Sequence, residues 1–200
     1  EIISKVFSKN HVEVIEGGVE VSQNLLSQKW DYIFFTGSVA VGKIVAKAAA
    51  EHMTPVTLEL GGKNPCIIDE TANIKLAAKR IVWGKFINAG QTCIAPDYLL
   101  VQKKVKAELI ENLKQEIKNA YSDNPELSPD YTRIVNTRNW ERLNKLIEPE
   151  KVLFGGQINS EDCYLAPTLI DETSFESPVM KEEIFGPILP ILSYENESEL

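Results

Sequence analysis

The sequence predicts an α/β fold built on a parallel sheet, and three features of its N-terminal part indicate it. Residues 32–35 are a continuous apolar run of strand length, and residues 55–60 form the next predicted strand, which ends at a Gly-Gly pair. Residues 11–15 alternate apolar and polar positions before another Gly-Gly pair. A turn at residues 36–38 leads into a segment with helical spacing of apolar residues. Strands and helices joined by short connections predict parallel strands with right-handed crossovers. The buried stripe of this helix is predicted to comprise Val41, Ile44, Val45 and Ala48.

The chain from about residue 62 onward has the same mixed character and contains no internal repeat. Its elements follow from apolar periodicity and from Gly and Pro turn signals. Strands are predicted at residues 66–68, 98–102, 151–156 and 164–170, and helices at residues 73–88, 105–121 and 138–147. The apolar face of the helix at 105–121 is predicted to comprise Val105, Leu109, Leu113, Ile117 and Ala120.

Composition excludes several classes of protein. The net charge is −8 and no Lys/Arg cluster is dense enough to neutralise a row of phosphates, so we expect no nucleic-acid partner. No apolar run approaches the length of a membrane span. The three cysteines form no CxxC pair and the two histidines have no metal-ligand spacing, which predicts no metal site and a reducing, cytoplasmic compartment. Because the chain starts without Met and ends in the apparent start of a helix, we expect it to be an excerpt of a longer protein.

The turn after the strand at 32–35 is a candidate cofactor site. Ligands in open α/β sheets bind beyond the carboxyl ends of the strands, where Gly37 allows close approach and Ser38 can donate a hydrogen bond. Free N–H groups at the start of the next helix face outward, and Gly42 completes a short Gly-rich pattern. A capped helix after a tight turn explains the same residues equally well.

Glu59, at the end of the next strand, is a candidate general base. Thr57 and Glu59 are predicted to face one side of the strand, opposite Val56, Leu58 and Leu60. A carboxylate at the end of a buried strand is costly unless it is paired or functional, and burial would raise its pKa toward neutrality. The alternative is a surface glutamate paired with a lysine, which for a lone Glu is the more common case.

Cys93 is the candidate nucleophile among the three cysteines. It lies in a loop bracketed by Gly90 and Pro96, just after a long helix, where substrate can reach a thiolate. A single cysteine is more often a small buried hydrophobic residue, and we assign that role to Cys66 and Cys163.

Other polar and aromatic residues are assigned structural roles. We predict that Lys63 lies at the surface, and that Trp30, Trp83 and Trp140 contribute to packing rather than to a binding cage.

Four segments in order resemble the successive signatures of the aldehyde dehydrogenase superfamily. They are residues 35–38 (Phe-Thr-Gly-Ser), 59–63 (Glu-Leu-Gly-Gly-Lys), 90–93 (Gly-Gln-Thr-Cys) and 183–187 (Glu-Ile-Phe-Gly-Pro). Their spacing matches too, and the resemblance extends from about residue 11 to the end. Residues 90–98 and 54–60 are similar to the class 3 and fatty-aldehyde branch, which implies medium-chain, long-chain or aromatic aldehydes and a homodimer.

The resemblance implies a role for each residue. Cys93 attacks the aldehyde to give a thiohemiacetal, hydride transfer gives a thioester, and Glu59 activates the hydrolytic water. The oxyanion is held by the Cys93 backbone N–H and, in the family, by an asparagine upstream of this chain. The implied cofactor is NAD or NADP. Its contacts are assigned to Gly37, Ser38, Val41, Gly42, Leu60, Glu183 and Phe185.

The resemblance also implies a domain division, with residues 1–60 as the C-terminal part of a Rossmann-like NAD(P)-binding domain and residues 61–200 as the catalytic domain. Two alternatives stay open: a reductase that transfers the acyl group to phosphate or coenzyme A, and a non-enzymatic structural member. The presence of Glu59 counts against the first, and Cys93, Glu59 and Glu183 together count against the second. We expect residues 1–200 alone to turn over no aldehyde.

Overall fold

The computed structural model describes residues 2–172 and 174–200 and divides the chain into two compact units, Glu1–Leu60 and Gly61–Leu200. Both units contain helices and parallel strands, which confirms the predicted α/β class. In the described residues no helix is long and apolar enough to cross a membrane.

The first unit contains a pair of parallel strands and three helices. Strands β1 and β2 are in register so that Thr36 lies beside Glu59 and Gly37 beside Leu60. Helix α3 connects the two strands, as the predicted crossover requires. The elements are α1 (Ile2–Val6), α2 (Val19–Leu26), β1 (Ile33–Gly37), α3 (Val39–Glu51) and β2 (Val56–Leu60).

Two predictions for this unit were wrong. Residues 11–15 form no strand, and Val14 and Ile15 are 57% and 55% exposed, because alternation yields a strand only where a neighbouring strand completes the hydrogen bonds. The stripe of α3 is displaced along the helix. Val41 and Ile44 are exposed, whereas the buried residues are Gly42, Val45 and Ala49.

The second unit is organised around a five-stranded sheet with strand order β3-β4-β9-β8-β5. All neighbouring pairs are parallel except β5 with β8, and β6 and β7 form a separate antiparallel pair. The strands are β3 (Pro65–Ile68), β4 (Tyr98–Gln102), β5 (Val152–Phe154), β6 (Ile158–Asn159), β7 (Tyr164–Leu165), β8 (Thr168–Asp171) and β9 (Ile188–Tyr194). The helices are α4 (Ile74–Phe86), α5 (Lys103–Tyr121), α6 (Thr137–Asn144) and α7 (Pro178–Lys181).

Strand β9, at the centre of this sheet, was missed by the sequence analysis. Its burial on both faces explains the continuous apolar run Ile188–Tyr194, which shows no alternation. Pro190 lies within the run and ordinarily argues against a central strand, because it cannot donate to the ladder.

The core lies between the sheet and its helices. Leu109, Leu113 and Ile117 of α5 are fully buried, as predicted, but Ala120 is exposed and Tyr121 takes the buried position at the end of that face.

The tryptophans divide into one packed and two exposed side chains. Trp140 is 7% exposed, and its indole Nε1–H donates to the Tyr164 carbonyl oxygen at 2.7 Å, so its predicted packing role is confirmed. Trp30 and Trp83 are 41% and 69% exposed, and for them the prediction was wrong.

Replacing Trp140 by Ala is therefore expected to lower the free energy of unfolding by roughly 3–5 kcal/mol, because it leaves a cavity and an unpaired carbonyl. The matched control, Trp83→Ala, is expected to change it by about 0.5 kcal/mol or less. Urea unfolding of both variants measures the difference, and equal losses would contradict this account of the core.

Candidate active site

The loop that carries Cys93 begins with an unusual backbone reversal. After α4 the chain makes a 3₁₀ turn, Ile87–Gly90, in which Asn88, Ala89 and Gly90 all have positive φ, at 52°, 52° and 73°. A Cβ on Gly90 would lie 2.3 Å from the Gly186 carbonyl oxygen, so the close approach of the two backbones also requires glycine. The reversal ends the helix and brings Cys93 to an exposed loop position, as predicted.

The Gln91 side chain holds this reversal in place. Its Nε2 donates to the carbonyl oxygens of Asn88 and Arg133, each at 3.0 Å, and its Oε1 accepts from the Val135 N–H at 2.9 Å. The Asn88 amide in turn donates to the Gln91 carbonyl at 3.1 Å. These bonds offset part of the cost of non-glycine residues in the left-handed region.

Asn64 binds the opposite side of the loop. Its Nδ2 donates to the Cys93 carbonyl oxygen at 2.9 Å and to the Ala95 carbonyl oxygen at 3.2 Å. Its own carbonyl oxygen accepts from the Asp97 N–H at 2.9 Å. The loop that carries Cys93 is therefore tied to the segment that precedes β3.

Glu183 lies against the two glycines that begin this unit. Its half-buried carboxylate accepts the Gly62 N–H, and a Cβ on Gly61 would lie 1.9 Å from its Oε2. Burial raises the pKa of Glu183, and the Asp97 charge adds to that effect, whereas the Gly62 hydrogen bond and the charges of Lys85 and Arg142 lower it.

Lys63 fixes the chain on both sides of Glu183, so the prediction of a surface role was wrong. Its ammonium group forms an ion pair with the buried Asp97 carboxylate and donates to the Glu182 carbonyl at 3.1 Å. Asp97 also accepts the Ile184 N–H at 2.9 Å. Both peptide neighbours of Glu183 are thereby held, while Glu183 itself stays partly open to solvent.

Phe185 has a left-handed backbone, with φ of 49°, and a 40% exposed ring. Its neighbours Ile184 and Gly186 are buried. The reversal at this residue therefore leaves an aromatic side chain at the surface beside Glu183 in the chain.

The cofactor candidates of the first unit lie around the turn between β1 and α3. The Ser38 Oγ accepts the Val41 N–H at 3.3 Å, so Ser38 is the N-cap of α3 and its hydroxyl proton is free for another acceptor. A Cβ on Gly42 would lie 2.8 Å from a Leu60 methyl carbon, so Gly42 allows α3 to approach β2. Gly37 ends β1.

Glu59 is exposed, which contradicts the expectation of a buried carboxylate. It lies at the carboxyl end of β2 and pairs in register with Thr36. Within residues 2–172 and 174–200 it forms no ion pair with a lysine, so the alternative of a paired surface glutamate is not what the structure shows either.

Lys85 is a buried amine that sequence reasoning missed. Its side chain is fully buried in α4, and its Nζ has no hydrogen-bond partner among the described residues. Burial lowers its pKa to about 8, against the opposing effect of the Asp97 carboxylate; the Lys63 charge lowers the pKa further and the Glu183 charge raises it. The signal available in the sequence was its position on the apolar face of α4, seven residues after Ala78.

The structure thus brings together Cys93, Asn64, Glu183 and Lys85 in the second unit, while Glu59 and the turn after β1 belong to the first unit. Across the described residues, no group of three or more His, Cys, Asp or Glu side chains could hold a metal ion.

Comparison with known proteins gives a family match over the whole chain. The profile described as "Aldehyde dehydrogenase family" matches residues 1–200. The 4,4'-diaponeurosporen-aldehyde dehydrogenase of Staphylococcus aureus (strain NCTC 8325 / PS 47) is 52% identical over 200 residues, which cover 99% of this chain and 44% of that protein. Aldehyde dehydrogenase family 3 member A2 of Mus musculus is 46% identical over 199 residues, which cover 100% of this chain and 41% of that protein.

A solved structure described as the substrate-bound state of Staphylococcus aureus AldH is similar in fold. It has a TM-score of 0.95 and 51% sequence identity, and the match covers 99% of this chain and 44% of that chain. The chain therefore spans less than half the length of the relatives that it matches.

The buried amine generates a prediction about stability. Because the folded-state pKa of Lys85, about 8, lies below its ordinary value of 10.5, the unfolded chain takes up the proton first as the pH falls. Stability is therefore lost as the pH falls from 10.5 toward 8, and the full cost is present below pH 8. Replacing Lys85 by Met is expected to raise the free energy of unfolding at neutral pH by roughly 3 kcal/mol.

Urea unfolding at several pH values checks this prediction. The difference in free energy of unfolding between Lys85→Met and the unsubstituted protein should become smaller above pH 8. The matched control is Lys79→Met, a substitution at an exposed position of the same helix. Its free energy of unfolding should equal that of the unsubstituted protein at each pH. If Lys85→Met and the unsubstituted protein have the same free energy of unfolding, or if their difference does not change with pH, the Lys85 ammonium is better solvated than its burial indicates.

Proposed function

Because the chain belongs to the aldehyde dehydrogenase family, we propose that the protein containing it oxidises an aldehyde to a carboxylic acid and reduces NAD or NADP. The observation that carries this proposal is the exposed Cys93 thiol on a loop whose backbone is fixed on both sides, by Gln91 and by Asn64. A nucleophile needs both access to substrate and a defined position, and this loop provides both.

The proposed chemistry begins at the Cys93 sulfur. The thiolate attacks the aldehyde carbon and forms a C–S bond, while the carbonyl electrons move to the oxygen to give a thiohemiacetal oxyanion. The Cys93 backbone N–H is proposed to donate to that oxyanion. Loss of hydride from the carbon gives the thioester, and hydrolysis releases the carboxylic acid and restores the thiol. The bound nicotinamide ring supplies the hydride acceptor.

Glu59 is proposed as the base that removes a proton from the hydrolytic water. Its support is its position at the carboxyl end of a parallel strand, where α/β proteins bind their ligands, and its exposure, which leaves both oxygens open to water.

The proposed cofactor contacts follow, residue by residue, from the family resemblance. Gly37, Ser38, Val41 and Gly42 surround the N-terminus of α3, whose first N–H groups suit a pyrophosphate. Glu183 is proposed to accept ribose hydroxyl protons, since its carboxylate keeps acceptor capacity beyond the Gly62 bond. Leu60 is proposed to lie by the carboxamide and Phe185 beside the nicotinamide ring.

The proposed substrate, oligomeric state and compartment follow from the resemblance to the class 3 and fatty-aldehyde branch. The substrate is proposed to be a medium-chain, long-chain or aromatic aldehyde, and the complete protein a cytoplasmic homodimer. All three cysteines are free, which supports a reducing compartment. Residues 1–60 are proposed as part of the NAD(P)-binding domain and residues 61–200 as the catalytic domain.

The test is aldehyde-dependent formation of NADH and NADPH by the complete protein, measured by absorbance with a panel of aliphatic and aromatic aldehydes. Cys93→Ser is expected to reduce turnover by at least about 1,000-fold, because the hydroxyl is a far weaker nucleophile. Cys163→Ser, which removes a half-buried thiol, is the matched control and should retain activity.

Turnover that survives in Cys93→Ser would refute the assigned nucleophile. Acyl transfer to phosphate or coenzyme A in place of hydrolysis would identify the alternative reductase, and the absence of all turnover would favour a structural protein.

Replacing Gly61 by Ala tests the proposed role of Glu183. The new Cβ requires the carboxylate to move, since the two atoms would lie 1.9 Å apart, while the backbone conformation suits any residue. We expect Gly61→Ala and Glu183→Ala each to weaken cofactor binding by about 10-fold or more, and the double variant to be no weaker. Gly18→Ala, which meets nothing within 4 Å, is the control. If the two losses of cofactor affinity add in the double variant, Gly61→Ala does not act through the Glu183 carboxylate.

A further inference from the structure

We propose that Asn64 is a positioning residue that fixes the backbone of the nucleophile loop and thereby aims the Cys93 thiol at the substrate. The inference rests on the proposed function of Cys93. Among the described residues, the hydrogen bonds of the Asn64 side chain go to the loop backbone, so it is proposed to act through Cys93 and not on the substrate.

The geometry of the contact is a clamp made by one amide group. The Asn64 NH₂ spans the carbonyl oxygens of Cys93 and Ala95, at 2.9 and 3.2 Å, and uses both of its protons in doing so. The loop segment between these carbonyls is closed by the Ala95 N–H, which donates to the Thr92 carbonyl at 3.2 Å. Asn64 thus holds the Cys93–Ile94 and Ala95–Pro96 peptide groups, and the Ala95 N–H holds the Ile94–Ala95 group between them.

The loop needs such a clamp because the reactive residue must remain exposed. Ile94 is 85% exposed and Cys93 is exposed, so apolar packing contributes little to holding these two residues. With two soft dihedrals per residue, fixing the carbonyl of Cys93 restricts the direction of its Cα–Cβ bond. The Cys93 N–H, which is the proposed donor to the oxyanion, belongs to the Thr92–Cys93 peptide group, whose carbonyl oxygen accepts the Ala95 N–H.

Few side chains can replace this amide. A carboxylate at position 64 has the same shape but presents acceptors to two carbonyl oxygens, so Asn64→Asp converts attraction into repulsion without changing volume. Asn64→Ala removes the contact altogether.

Lys63 provides a matched comparison within the same segment. It is the neighbour of Asn64, but its ammonium group binds Asp97 and the Glu182 carbonyl on the side of Glu183. Variants of the two residues should therefore affect different steps. Because Lys63→Met leaves the buried Asp97 carboxylate without its ammonium partner, it is expected to lower cofactor affinity and thermal stability, whereas Asn64 variants act on the chemical step.

The experiment uses the complete protein with Asn64→Ala, Asn64→Asp and Lys63→Met. We expect both Asn64 variants to lower kcat and the single-turnover rate of hydride transfer by roughly 10- to 100-fold, because a displaced nucleophile loses alignment. The KM for cofactor should change by less than about threefold, and so should the rate of Cys93 alkylation by iodoacetamide, because the thiol stays exposed and chemically intact. Lys63→Met should instead raise the KM for cofactor.

Amide hydrogen exchange of residues 92–97 provides a readout that does not depend on turnover. We expect exchange in this loop to be at least about 10-fold faster in Asn64→Asp than in the unsubstituted protein. Unchanged exchange, an unchanged kcat, or parallel losses of kcat, cofactor affinity and thermal stability would each overturn the positioning role. If the unsubstituted protein shows no Cys93-dependent turnover but the loop loosens as expected, the clamp stands and the proposed function fails.

Discussion

The buried carboxylate of Asp97 is the constraint on which the geometry of the second unit depends. It is 3% exposed, and such a charge is tolerated in a protein interior only where it is paired and hydrogen-bonded. Its partners come from two separate segments, the Lys63 ammonium and the Ile184 N–H, while its own N–H binds the Asn64 carbonyl oxygen. Because Asp97 directly precedes strand β4, these segments are held in a fixed position relative to the sheet.

This arrangement explains why residues 61–64 serve two neighbours at once. Gly61 and Gly62 form the surface against which the Glu183 carboxylate lies, and Asn64 binds the loop of Cys93. A short extended segment with a fixed end can hold two loops at a constant spacing without burying either of them. Rigidity is thus supplied by hydrogen bonds to backbone atoms, and the Cys93 and Glu183 side chains keep their access to solvent.

The parts of the site that the sequence predicted are those with local signatures. The β1–α3 turn capped by Ser38, the strand ending at Leu60 and the exposed loop position of Cys93 follow from turn chemistry and periodicity. The hydrogen bonds and ion pairs that hold these residues in place could not be predicted from the sequence. Lys63 and Asp97 are 34 residues apart and Gln91 and Val135 are 44 apart, and no local pattern specifies such partners. The strand order was not predicted for the same reason, since the places of β4 and β8 beside β9 depend on pairings between distant segments.

The site also contains the features that stability alone would not favour. Asn88 and Ala89 have left-handed backbones, Phe185 does too, and Lys85 is a buried ammonium without a hydrogen-bond partner among the described residues. Each of these costs free energy, and all four residues lie within eight residues of Cys93 or two of Glu183 in the chain. Left-handed backbones also occur at Met53, Ser122 and Cys163, but those at residues 88, 89 and 185 set the course of the segments that carry Cys93 and Glu183. The backbone reversal that strains residues 88–90 is also what directs the chain out of α4 and into the exposed loop, so the strain and the accessibility of the thiol have the same structural origin.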